Sequence, residues 1–130
     1  SGSYGLDGMT TWVDDDTMFT PNTYFSPGER EWTELGGGLR RKIVAHTPQL
    51  MAVLVHFEKG AIGTPHFHEV HDQIAVVQAG SFECEVAGAK RVLRTGDAYL
   101  AVHGQMHGVV ALEDGSVLLD MFSPCREDYL

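Results

Sequence analysis

The sequence predicts an all-β protein: one domain, closed as a two-sheet jelly roll. Three observations carry this expectation. Short runs rich in Val, Ile, Leu and Phe recur along the chain, and Gly, Pro and Asp separate them at close intervals. No segment of helical period is long enough to compete. A length of 130 residues builds one core and is too short for two.

The elements follow in chain order. Residues 1–22 mix acids, threonine and small residues without periodicity, so a loose arm is expected there, able to cover a neighbouring subunit. Within it, Ser1-Gly2-Ser3 reads as a cloning remnant. The barrel domain is expected over 23–130, with strands at 39–46, 50–58, 72–78, 81–86, 91–94, 98–102, 108–112 and 116–122. Lys59-Gly60, Ala79-Gly80, Ala87-Gly88, Gly96-Asp97 and Asp114-Gly115 supply the turns. Alternation assigns faces: Phe82, Cys84 and Val86 share one side, with Ser81, Glu83 and Glu85 on the other. In the last strand Leu118, Asp120 and Phe122 share a face, opposite Val117, Leu119 and Met121.

Composition narrows the function. A formal charge of -9 leaves no basic stripe for nucleic acid, and it requires any anionic ligand to be held by a local cation or metal. No apolar stretch approaches the roughly 20 residues of a membrane span, and no secretory signal is visible; a cytoplasmic protein is expected. Cys84 and Cys125 are too few and too scattered for a disulfide framework, so reduced thiols are expected. No base can be inferred beside Cys125 to make it a nucleophile.

The chemistry-bearing residues are His66, His68, Gln73 and His107. Two histidines separated by one residue leave the same face of an extended segment, and two hairpins suffice to bring His107 alongside Gln73. Imidazole suits zinc, nickel, copper, iron and cobalt, and an amide oxygen adds a neutral fourth ligand. With no anionic ligand, a divalent ion keeps its charge and acts as a Lewis acid. His46, His56, His71 and His103 read as structural or surface residues, with His71 and His103 also placed to support a ligand from behind. Asp120 stays open between two readings. It faces solvent or an arginine, or it lines the metal cavity as a general acid/base while Arg126 reaches back as a carboxylate clamp.

Gly60-x5-His66-x-His68-x4-Gln73-x6-Gly80 resembles the first motif of the cupin superfamily, with Gln where Glu is usual. Gly96-x5-Val102-x-Gly104-x2-His107 resembles the second, with Val where Pro is common. The ending Asp120-x-Phe122-x-Pro124-x-Arg126-Glu-Asp is similar to that of KdgF-type pectin-degradation cupins, which carry the same three-His, one-Gln set. The resemblance implies a double-stranded β-helix barrel with a divalent metal in its mouth: nickel or zinc first, then iron, manganese or cobalt. It implies an enzyme that opens and ketonises 4,5-unsaturated monouronates released from pectin or alginate by lyases. His66, His68, Gln73 and His107 would be the metal ligands, Asp120 and Arg126 catalytic, and Phe122 and Arg126 substrate-binding. A homodimer acting on a small anionic sugar is expected. The alternatives are another cupin lyase or dioxygenase acting on a small carboxylate, and a sugar-binding cupin without turnover.

Overall fold

The protein was analysed as a computed structural model that describes residues 3–4, 10–11 and 23–130. The expected N-terminal arm therefore lies outside the described residues, apart from a short antiparallel pairing of β1 (Ser3–Tyr4) with β2 (Thr10–Thr11). From there the chain runs β3 (Thr33–Gly36), β4 (Leu39–Thr47), β5 (Leu50–Phe57), β6 (Ile62–His66), β7 (Asp72–Ala79) and β8 (Ser81–Val86). It continues through β9 (Ala89–Arg94), β10 (Ala98–Ala101), β11 (His107–Ala111) and β12 (Ser116–Ser123), and ends in a single 3-10 turn, Glu127–Tyr129. Among the described residues no helix is long and apolar enough to cross a membrane.

Two antiparallel sheets face each other. The larger has the order β10-β7-β12-β5-β4-β3, and the smaller β6-β11-β8-β9. This is the expected all-β jelly roll, the double-stranded β-helix. Two strands escaped the periodicity. β3 is exposed throughout, so its sequence carries no apolar alternation. β6 (Ile-Gly-Thr-Pro-His) holds a glycine and a proline, residues that ordinarily argue against a strand. It tolerates them as an edge strand, bonded on one side only to β11.

Register sorts the side chains. On β12 the burial alternates strictly, with Ser116, Leu118, Asp120 and Phe122 inside. Opposite them β5 contributes Met51, Val53, Val55 and Phe57, and β7 contributes Gln73, Ala75 and Val77. The smaller sheet answers with Phe82, Cys84, Val109 and Ala111, and the Phe57 and Phe82 rings meet edge to face at 5.0 Å between centroids. Polar inward residues concentrate at one end of the barrel, where β6, β11, β7 and β12 deliver His66, His107, Gln73 and Asp120.

Gly80 shows why the first motif needs its last glycine. It joins β7 to β8 at φ +70°, and a Cβ there would come within 2.8 Å of the Ser116 Cα and overlap its Oγ. That hydroxyl donates to the Glu113 carbonyl at 2.8 Å and anchors the start of β12. Gly60 also has a positive φ, +81°, yet nothing lies within 4 Å of its Cβ direction. Gly60→Ala should therefore lose only about 1 kcal/mol of stability from the left-handed backbone. Gly80→Ala should lose about 2–4 kcal/mol, because the backbone of β12 must also move. Urea unfolding of the two variants side by side measures the difference.

Candidate metal centre

His66 ends β6 and His107 begins β11, and the two residues are directly paired across the ladder. Their rings lie 4.5 Å apart between centroids. His68 lies beyond the end of β6 in the following loop, so a shared strand face is not what aims it. Its backbone is held instead by the second motif: the Gly104 N–H donates to the His68 carbonyl at 2.7 Å. Gly104 makes that approach at φ +83°, a conformation glycine adopts without strain. The His68 ring then sits 4.7 Å from that of His66, 5.1 Å from that of His107, and edge-on to Phe122 at 5.6 Å.

One nitrogen from each ring faces a common point, all three within 4.8 Å of one another. On two of the rings the other nitrogen is occupied: Nδ1 of His66 lies 2.8 Å from the Thr64 carbonyl and Nδ1 of His107 lies 3.0 Å from that of Gln105. A carbonyl only accepts, so on His66 and His107 Nδ1 carries the proton and Nε2 presents its lone pair inward. Gln73 closes the set. Its Oε1 is 3.1 Å from His68 Nε2 and 3.0 Å from His107 Nε2, while its amide NH₂ points to the Tyr99 hydroxyl at 3.5 Å.

The donor set fits a metal. At His107 two lone pairs confront each other at 3.0 Å, which is unfavourable unless a cation stands between them. A proton is a poor candidate. Burial, first, and the neighbouring positive groups lower the pKa of His68 to about 4, and burial likewise lowers that of His107. Donor atoms about 2.1 Å from a shared ion, at right angles, lie about 3 Å apart, as these do.

The centre opens on a cavity of about 130 Å³ lined by His66, Gln73, His107, Tyr99, Asp120, Tyr129, Arg41 and apolar residues. Asp120, 8% exposed, is the only carboxylate in that lining, which settles which way its strand face turns. Its Oδ1 is buried without a hydrogen-bond partner. Burial raises its pKa to about 7, opposed by the Gln73 amide and the Arg126 charge. Burial also pushes the Tyr99 phenol up, so it stays protonated at neutral pH.

Phe122 and Arg126 pack beside the cavity, outside its lining. Phe122 is wedged between His68 and Tyr129. The Arg126 guanidinium stands 5.2 Å from the Phe122 centroid and 4.1 Å from that of Tyr129. Its donors are engaged: Nε and Nη2 bond both oxygens of Asp128 at 3.2 and 2.7 Å, and Nη1 donates to Tyr129 Oη at 2.9 Å. Tyr99, Tyr129 and Arg41 were missed in the sequence. Arg41 had a signal, since it shares strand parity with Leu39 and Ile43, but the run Leu39-Arg40-Arg41-Lys42 obscured it. Of the remaining histidines, His71 Nε2 lies 3.2 Å from the Cys125 carbonyl and His103 bonds Asp72 at 2.8 Å. Both cysteines are buried and unpaired, and burial raises the Cys84 pKa to about 11.

A two-sheet barrel with imidazoles gathered in its mouth defines a class, and the sequence match agrees: residues 53–122 fit the Cupin domain family, to which this chain belongs. Within that family it is similar to the pectin degradation protein KdgF of Dickeya dadantii (strain 3937). The two are 62% identical over 107 residues, 82% of this chain and 97% of that protein. The solved structure of KdgF from Halomonas sp. superposes with a TM-score of 0.82 at 55% identity, covering 83% of this chain and 98% of that one. An RmlC-like cupin from Shewanella frigidimarina follows at TM-score 0.77 and 41% identity, covering 82% and 96%.

A carboxyl group whose pKa rises from 3.8 to about 7 on folding destabilises the protein as pH climbs through that interval. Below pH 4 both folded and unfolded chains hold the proton and the penalty vanishes. Above pH 7 it is complete, on the order of 4 kcal/mol. Metal-free Asp120→Asn should therefore melt about 15 °C above metal-free wild type at pH 8. The two should converge toward pH 4, as thermal unfolding across pH can show.

Proposed function

We propose that this chain is a metal-dependent enzyme of pectin or alginate breakdown that opens and ketonises 4,5-unsaturated monouronates to the linear 5-keto-4-deoxyuronate. One observation carries the reading: a single buried carboxyl, Asp120, shares a small cavity with Gln73 and two of three converging imidazoles. The similarity to KdgF, a pectin degradation protein, supports the same substrate class.

The substrate is a cyclic enol ether with a hemiacetal at C1 and a carboxylate at C5. Opening it breaks the C1–ring-oxygen bond, removes the proton of the C1 hydroxyl as the aldehyde forms, and leaves an enol at C5. The enol then gains a proton at C4 and becomes the ketone, so atoms balance without a co-reactant. His66, His68, Gln73 and His107 hold the ion, which when bound supplies a Lewis acid for an oxygen carrying negative charge. Asp120 moves the proton, since a carboxyl with a pKa of about 7 can both take one and return it near neutral pH. Tyr99 holds the Gln73 amide so that its oxygen faces the imidazoles. Phe122 backs His68 and keeps water from behind the site. Arg126 contributes positive charge at the mouth, and takes the substrate carboxylate by exchanging it for that of Asp128.

Lyase-generated unsaturated monouronate should lose its C=C absorbance faster with this protein than spontaneously, with the 5-keto product seen by NMR. No acceleration would sink the proposal. Asp120→Asn should retain its metal while turnover falls about 10²–10⁴-fold. Exhaustive chelation should abolish turnover, and added nickel or zinc should restore it; activity that survives full metal removal, verified by elemental analysis, would contradict the Lewis-acid role.

A further inference from the structure

Arg41 is a cation in an unexpected position. It lies on β4 directly opposite Val55, a core residue of β5, so its stem enters the barrel from the inner face of the larger sheet. Its strand neighbours of the same parity, Leu39 and Ile43, both pack against the core. The guanidinium carbon rests 3.8 Å from the centroid of the Tyr129 ring, whose other cationic neighbour is Arg126 at 4.1 Å. Tyr129 thus has two guanidinium groups packed on it, but they are differently committed. Arg126 spends its donors on Asp128 and on the Tyr129 hydroxyl and lies outside the cavity lining. Arg41 lines the cavity, is its only Arg or Lys, and pairs with no carboxylate among the described residues.

We infer that Arg41, held against Tyr129, is a second substrate-binding residue that joins Arg126 in receiving the carboxylate of an anionic sugar in this cavity. The inference rests on the uronate reading above for its substrate, and on geometry for its residue. A planar guanidinium anchored by stacking loses little freedom on forming two parallel bonds to a carboxylate. In a chain of net charge -9, with Asp120 in the same cavity, an anion needs such a local partner. An anion bonded to Arg41 shares the cavity with Asp120, so the cation's position orients the sugar's reacting carbons toward the carboxyl. Arg126, the other guanidinium on Tyr129, meets the same carboxylate once it leaves Asp128; until then its bond to the phenol oxygen holds the ring from which Arg41 takes its orientation.

The test compares Arg41→Met and Arg41→Lys with wild type on unsaturated monouronate and on its methyl ester. Binding of saturated galacturonate and of galactose is followed in parallel by calorimetry. Arg41→Met should raise KM for the free acid 10–100-fold, change kcat far less, and move KM for the ester only slightly. Arg41→Lys should lie between, and wild type alone should strongly prefer galacturonate to galactose. Unchanged KM and galacturonate affinity in Arg41→Met, or equal losses for acid and ester, would overturn the inference. Should Arg41→Met not fold, the Lys variant decides: an acid-to-ester preference equal to that of wild type counts against the bidentate anchor. Galacturonate binding that depends on Arg41 in a protein that does not turn over the unsaturated sugar would refute the ring-opening reading and leave this one standing. Normal turnover with indifferent Arg41 variants would do the reverse. A wild type that binds neither acid overturns both.

Discussion

Everything at the mouth of this barrel depends on holding uncharged donor atoms at distances they would not choose. Gln73 Oε1 stands about one hydrogen-bond length from two imidazole nitrogens, and the proton that could reconcile them is disfavoured by burial. The fold enforces the crowding. Backbone carbonyls of Thr64 and Gln105 occupy the far nitrogens, Tyr99 turns the amide, and Gly104 ties down the loop that carries His68. Such an arrangement suits a cation, since the donor atoms are crowded together before any ion arrives.

The choice of glutamine over a carboxylate matters for what lies next door. A charged ligand at position 73 would leave two anions side by side and force one of them to stay protonated. With Gln73 neutral, Asp120 is the only carboxylate in the cavity lining, and its pKa near 7 reflects burial more than like-charge repulsion. That buried carboxyl, its Oδ1 unpartnered, is a local violation of good packing practice between Leu118 and Phe122 on the inner strand face. Violations of this sort concentrate at functional sites.

Much of this was legible along the chain. Period-two alternation in β8 and β12 assigned inner and outer faces, and the glycine-spaced histidines picked out the residues whose rings converge. The misses have physical causes. β3 is exposed on both faces and β6 carries Gly and Pro, so neither shows the pattern that burial imposes. His68 was expected to share one face of an extended segment with His66, but it lies in the loop after β6, held by a long-range bond to Gly104. Arg41 was hidden because three consecutive basic residues give no clue to which of them turns inward, and Tyr129 because a single residue in a terminal turn has no period at all.

The sequence by itself determined most of the barrel strands, the apolar faces of those that alternate, and which side chains carry donor atoms, because these follow from local spacing and side-chain chemistry. Only the tertiary structure decided that Asp120 lines one cavity with His66, Gln73 and His107, that Arg126 pairs with Asp128, and that Arg41 enters the cavity against Tyr129. Those facts depend on the register between strands distant in sequence and on where the last turn folds back. A change of one residue in register reverses every face, and no local pattern on β4 alone reports which register the packing of both sheets selects.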